Sequence, residues 1–129
     1  MKVVVDTNVL ISAVYSPNGN PSKILQLIFS DDKMLLFYNQ KILDEYKRVL
    51  SYKKFKFSIE KQKVAIENIK DYGDIIEPKP SKINMPDESD RIFYDTAKES
   101  GAILITGNKK HYPNESFILT PAEFSEKFT

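Results

Sequence analysis

Apolar and polar positions along this chain alternate between the period of a buried strand and the period of a helix. Val3, Val4 and Val5 form a continuous β-branched run, the pattern of a strand covered on both faces. From Thr7 to Val14, Val9, Leu10 and Ala13 fall at helical spacing, and "SPNGNP" then breaks the chain. Asn20 or Ser22 is expected to cap a helix through "PSKILQLIFS", with Ile24, Leu25, Leu27 and Ile28 on one broad face. "MLLFYN" predicts a second buried strand. "NQKILDEYKRVL" predicts an amphipathic helix with Ile42, Leu43, Tyr46, Val49 and Leu50 inward, and Ser58 opens another that Gly73 stops. "IIEPKPSKINMP" reads as a proline-broken connector with room for a short strand at Ile75 and Ile76. "DESDRIFYDTAKESG" predicts a helix ended by Gly101. "AILIT" is a third strong strand, "GNKKHYPNES" a loop and "FIL" a last short strand. "TPAEFSEKF" carries a capping pattern: Thr120 before the helix, Pro121 in its first turn and Glu123 three residues on.

Strands alternating with helices predict an α/β fold, a mainly parallel sheet with helices on both faces. One domain over residues 1–129 suits this length. Right-handed crossovers put the strand carboxyl ends on one edge, where the ligand crevice of such sheets lies. The chain has no cysteine, which excludes disulfides and thiolate metal sites and fits a reducing cytoplasm. No apolar run spans a bilayer, and the start is too short for a signal peptide, so a cytoplasmic protein without membrane contact is expected. A formal net charge of +1 says nothing about partners; the placement of charge says more.

Asp6 ends the first strand at that carboxyl edge. As an N-cap it would need no further explanation. Glu45 falls on the margin of the apolar face of its helix, counted at about 100° per residue, and Asp44 points well away. In "MPDESDRIFYDTA", Asp87 and Glu88 precede or begin a helix and Asp90 lies in its first turn. Negative charge there suits the helix dipole, but three acids in four residues exceeds what capping requires. Asp95 is expected to face solvent. Asn108 follows Gly107 just past the third strong strand, where its side chain is expected to meet Asp6. Carboxylates brought together raise each other's pKa unless a cation neutralises them. Oxygen ligands with no cysteine and one histidine favour Mg²⁺ or Mn²⁺, which would activate water and stabilise a phosphoryl group in transit.

These motifs resemble the PIN domain family, specifically the VapC-like toxin ribonucleases of toxin–antitoxin pairs. The resemblance covers nearly the whole chain. "VVVDTNVLIS" resembles the opening strand and Asp-Thr-Asn motif, "ILDEY" the second acid, and "DRIFYDTAKESGAILITGN" the later helix–strand pair with Ala97, Gly101 and Thr106 in step. It implies a three-layer α/β/α sandwich with Asp6, Glu45 and Asp90 as metal-binding acids, Thr7, Asn8 and Thr106 as supporting motif residues, and Asp87 as a further candidate ligand. Asn108 matches a position where many members carry a fourth acid, and the chain departs from that pattern there. An amide can still ligate a metal or orient a water, so Asn108 stands with Asp6, Glu45 and Asp90 as a catalytic candidate and with Asp87 as a further candidate ligand. The resemblance implies Mg²⁺- or Mn²⁺-dependent endoribonuclease activity with metal-bound water as nucleophile. It also implies a cognate antitoxin as inhibitor and commonly a homodimer.

Between Lys47 and Lys63, seven Lys or Arg stand against one acid, Glu60, with Tyr52, Phe55 and Phe57 interleaved. Such a stretch is either a solvated face with its aromatics inward, or an RNA surface on which phosphates meet cations and bases stack on rings. In the second case Lys53, Lys54 and Lys56 would flank the acidic crevice, and Lys109 and Lys110 would add to it. His111 reads as a loop histidine that could in principle serve as a general base. Two alternatives remain. One is a PIN-like module that binds RNA or protein without cleaving, which Asn108 favours. The other is a haloacid-dehalogenase-like phosphatase, which would need an acid where Asn8 stands.

Overall fold

In the computed structural model, which describes residues 1–128, five strands form one sheet. These are β1 (Lys2–Val5), β2 (Leu35–Tyr38), β3 (Gly73–Ile75), β4 (Ile103–Ile105) and β5 (Ile118–Leu119). Their order is β3-β2-β1-β4-β5 and every pairing is parallel. Val3, Val4 and Val5 in the central strand are fully buried, as their unbroken β-branched run requires. The chain moves outward from β1 to β3, then returns to place β4 on the other side of β1. The strand order therefore reverses at the β1–β4 boundary, and the crevice of an open parallel sheet opens at the carboxyl ends of those strands.

Six helices connect or follow the strands: α1 (Thr7–Tyr15), α2 (Asn20–Ser30), α3 (Gln40–Leu50), α4 (Ile59–Tyr72), α5 (Arg91–Ser100) and α6 (Pro121–Phe128). The expected Asn20 or Ser22 cap is displaced: Gly19 occupies the cap position of α2, Asn20 and Pro21 begin the helix, and no side chain caps it. Pro21 explains the shift, since its fixed φ and missing N–H suit the first turn. Gly73 both ends α4 and begins β3, two residues earlier than the strand expected at Ile75 and Ile76. Only glycine fits there, because a Cβ would lie 2.5 Å from the Ile69 carbonyl oxygen and 2.7 Å from the Tyr38 ring. Gly101 ends α5 in the left-handed region, φ +71°. At α6 the reciprocal cap forms as its sequence predicts. Glu123 N donates to Thr120 Oγ1 at 3.1 Å, and Thr120 N donates to Glu123 Oε1 at 2.9 Å.

Helix α3 is aimed by two buried polar residues. Asn39 is fully buried; its Oδ1 accepts from Ile42 N at 3.0 Å as the N-cap. Its Nδ2 donates to Thr96 Oγ1 on α5 at 2.9 Å and to the Ile76 carbonyl at 3.1 Å. Six residues into the helix, the Tyr46 hydroxyl donates to the Val5 carbonyl at 2.5 Å, at the end of β1. The helix thus reaches the carboxyl edge of the sheet and carries Glu45 with it.

Asp95 does not face solvent. It is 6% exposed, and its Oδ2 accepts from Ser81 N at 3.1 Å. The connector folds back onto α5, where Arg91 Nη1 donates to the Ser81 carbonyl at 3.0 Å and Nη2 to the Ile83 carbonyl at 2.7 Å. A helical wheel cannot foresee a loop that covers the polar face.

Candidate functional site

Asp6 leaves β1 with extended φ and ψ and sits at the N-cap of α1, but its side chain makes no capping bond. The carboxylate is 5% exposed and turned into the sheet edge instead. Its Oδ2 accepts from Thr106 Oγ1 at 2.7 Å and from the Tyr112 hydroxyl at 2.9 Å. Asn8 Nδ2 stands 3.5 Å from the same oxygen, and Asn8 Oδ1 accepts from Gly107 N at 2.9 Å. The Asp-Thr-Asn motif thereby ties the end of β1 to the turn after β4, one residue on each side of the strand-order reversal. Thr7 is buried, and its Oγ1 has no hydrogen-bond partner. Burial raises the Asp6 pKa, and the hydroxyl donors of Thr106 and Tyr112 oppose that rise.

A cavity of about 350 Å³ opens beside Asp6. Glu45, Asp87, Asp90, His111 and Phe55 also line it, so the acids expected from sequence share one wall. Asp90 joins a short 3-10 turn to α5, and its side chain caps nothing. Its Oδ2 is buried without a hydrogen-bond partner. His111 Nδ1 is the nearest cation-capable atom, at 3.5 Å, beyond hydrogen-bonding reach. Burial, then the charges of Asp6 and Asp87 and more weakly Glu45, push the Asp90 carboxyl up to about 6, against the opposing pull of His111. Asp87 is held below the usual carboxylate range, chiefly because its Oδ1 accepts from Ser89 N and Oγ, both at 2.9 Å. Glu45 is turned along α3 to Arg48, with Nη2 2.5 Å from Oε1.

Among the described residues, no three acidic or histidine side chains stand close enough together to enclose an ion as they are placed. The donor set still suits a hard divalent cation. It offers carboxylate oxygens, one of them buried and unpartnered, whose crowding costs free energy that a cation would relieve.

Asn108 does not meet Asp6 with its side chain. Its backbone N donates to Thr106 Oγ1 at 3.1 Å, while the side-chain Nδ2 lies 2.9 Å from His111 Nε2. The amide supports the site through its neighbours. Residues 109–111 form a 3-10 turn rather than an open loop. Within it Lys109 Nζ pairs with Glu123 at 3.2 Å, leaving Lys110 as the more available cation of the two. Lys53 and Lys54 share a second 3-10 turn with Phe55, and Lys56 follows in the left-handed region, φ 56°. Phe55 lines the cavity. Its ring stacks near-parallel with those of Tyr52, at 6.3 Å between centroids, and Phe57, at 5.6 Å. Phe55 and Phe57 are half-buried against the core while Tyr52 and the lysines are exposed, so the two readings of this stretch each hold for part of it.

Two site residues escape the sequence reading. Tyr112 is 6% exposed and grips Asp6, yet "HYPN" carries no periodic signal to mark it as buried. Tyr46 reads as ordinary core and is core, but its hydroxyl also anchors the helix that presents Glu45.

The PIN domain family model matches residues 2–110. The uncharacterized protein MJ1680 of Methanocaldococcus jannaschii is 36% identical to this chain over an alignment of 143 positions, covering 99% of this chain and 92% of that protein. The crystal structure of VapBC2 from Rickettsia felis, bound to a DNA fragment from its promoter, superimposes with a TM-score of 0.61. That alignment covers 93% of this chain and 97% of that one at 14% identity, so it bears on the fold, a three-layer α/β arrangement with a parallel sheet. By sequence, the chain belongs to the PIN domain family, whose members are typically nucleases.

Proposed function

We propose that this protein is a metal-dependent endoribonuclease and the toxin of a toxin–antitoxin pair. The observation that carries the reading is the cavity wall formed by Asp6, Glu45, Asp87 and Asp90, with a buried Asp90 oxygen that no protein donor satisfies. Asp6, Glu45 and Asp90 would hold Mg²⁺ or Mn²⁺, with Asp87 as a further ligand. A bound divalent ion supplies a Lewis acid and lowers the pKa of water, which suits phosphodiester hydrolysis.

The chain's own residues prepare the site for that ion. Thr106 and Tyr112 fix one oxygen of Asp6 and so orient the carboxylate. Asn8 holds the turn after β4 against α1. Glu45 would have to leave Arg48, its ion-pair partner one turn along α3, to join the ion. Lys53, Lys54, Lys56 and Lys110 would meet phosphates on either side of the cavity, with Lys109 restrained by Glu123. With this reading go a cognate antitoxin and a homodimer, both implied by the family resemblance, and a cytoplasmic location, which the cysteine-free sequence fits. Among the described residues no helix is long and apolar enough to cross a membrane.

Single-stranded and hairpin RNA incubated with Mn²⁺, with Mg²⁺ and with a chelator tests the proposal, with Asp90→Asn alongside. The expected result is metal-dependent cleavage that the variant loses. Wild type as inert as the variant with both ions would instead favour a PIN-like module that binds without cleaving. Cleavage that persists in Asp90→Asn would show that the acids have been misassigned.

A further inference from the structure

His111 is the one histidine of the chain, and it stands inside the acidic cavity rather than outside it. Its two ring nitrogens have different neighbours. Nε2 lies 2.9 Å from the Asn108 side-chain amide, and Nδ1 lies 3.5 Å from Asp90 Oδ2, the buried oxygen without a hydrogen-bond partner. The side chain is half exposed. We propose that His111 is a nitrogen ligand of the metal site, binding through Nδ1 beside Asp90, and that it biases the site toward Mn²⁺ and other imidazole-binding ions over Mg²⁺.

Three features carry this inference, which rests on the metal-site reading above. The first is the placement of Nδ1. Ligands about 2.1 Å from a common ion stand roughly 3 to 3.5 Å apart at ordinary coordination angles, and Nδ1 and Asp90 Oδ2 already have that separation. The second is the partner on the far nitrogen. A metal-binding imidazole donates its other N–H to an acceptor, which fixes the tautomer and the ring plane. An asparagine amide serves either tautomer, because Nδ2 donates to an unprotonated Nε2 and Oδ1 accepts from Nε2–H. The structure sets Nδ2 against Nε2, which leaves the ring proton on Nδ1; with the amide turned so that Oδ1 accepts from Nε2–H, the lone pair of Nδ1 faces Asp90, an arrangement that is repulsive until a cation lies between them. The third is the donor count. Glu45 is drawn to Arg48, Asp87 to Ser89 and Asp6 to Thr106 and Tyr112, whereas Asp90 Oδ2 has no hydrogen-bond partner and His111 Nδ1 has only its 3.5 Å approach to that oxygen. A nitrogen donor matters for selectivity because Mg²⁺ takes oxygen and keeps its waters, whereas Mn²⁺ and Zn²⁺ accept imidazole.

Because there is one histidine, its ring ¹⁵N resonances report on the site without interference. Zn²⁺ titrated into the ¹⁵N-histidine-labelled protein is expected to shift Nδ1 to a coordinated position with the proton on Nε2. Calorimetry is expected to show that His111→Ala weakens Mn²⁺ binding by about tenfold or more and Mg²⁺ binding much less. Unchanged affinities with an unmoved ring resonance would overturn the ligand role while leaving the carboxylate site standing. An equal loss for both ions with no ring shift would mark a structural role and would also overturn it. If wild type binds none of the three ions, the ligand role and the metal-site reading fail together. Half exposure of the ring makes the Ala variant tolerable to the fold, and circular dichroism checks that it is.

Discussion

Asp90 illustrates how one carboxylate serves a site at the expense of the fold. Its pKa is pushed up to about 6 by burial and by the neighbouring acids, against an ordinary value of 3.8. Between those values the folded state holds the proton and the unfolded state does not. Stability from this group is therefore highest in acid and falls as pH rises from about 4 to about 6, with the full cost present at neutral pH. Asp90→Asn should raise the metal-free stability at pH 7 by about 1 kcal/mol after allowance for solvent screening, and the gain should vanish near pH 4. Urea unfolding of both proteins at the two pH values, with chelator present, tests this; a destabilised variant at pH 7 would contradict it. Tyr112 makes the converse case, a residue that holds an acid in place. Tyr112→Phe removes the hydroxyl from Asp6 and leaves the ring in its buried position. The loss should cost about 1–2 kcal/mol of stability and lower metal affinity by roughly tenfold. Calorimetric affinities of the two proteins for Mn²⁺ decide it, and equal values would assign Tyr112 to packing alone.

At the scale of elements, α3 shows what holds the acid wall together. Asn39 caps the helix, ties it to α5 and satisfies the Ile76 carbonyl, all from one buried amide. Asn39→Ala should cost about 2–4 kcal/mol, because the cap is lost and the Ile76 carbonyl loses a donor, while Thr96 Oγ1 keeps its own bond to the Ile92 carbonyl. Thermal unfolding reads the loss directly, and a change below about 0.5 kcal/mol would mean the amide is readily replaced by water. The legible and illegible parts of the fold divide along a physical line. Unbroken runs such as Val3 to Val5, the reciprocal Thr120–Glu123 cap and the glycine stop at Gly101 are local, so they can be read from neighbours in sequence. The positions of Asp6, Glu45, Asp87 and Asp90 could be read too, because each sits at the end or margin of a periodic element. Asp95, Tyr112 and the Asn108 side chain could not. Each is decided by a connector folding back: Ser81 onto α5, Tyr112 across to Asp6, and His111 beneath Asn108.

Over the whole molecule the charges nearly cancel, at +1, so no long-range field draws in a polyanion. What the fold does is separate the signs. The acids converge on the cavity at the carboxyl edge, while Lys53, Lys54 and Lys56 stand exposed beside it, on the turn that carries Phe55 into the cavity wall. Arg48 lies between the two regions, paired with Glu45 and 5.5 Å above the Tyr52 ring. If RNA enters along this side, its phosphates pass the lysines before a phosphodiester reaches the acids. Affinity should then follow salt as a counterion-release process, with a slope in log–log form of about −0.7 per phosphate contacted on a single strand. Replacing the three lysines with alanine should reduce that slope by about two and weaken binding at low salt, while divalent-ion affinity stays the same. Fluorescence anisotropy of a labelled single strand, measured in chelator across a salt series, separates the outcomes. An unaltered slope would put the RNA on another face. A reduced slope with unchanged metal affinity would establish that substrate capture and ion binding belong to adjoining but independent parts of the same edge.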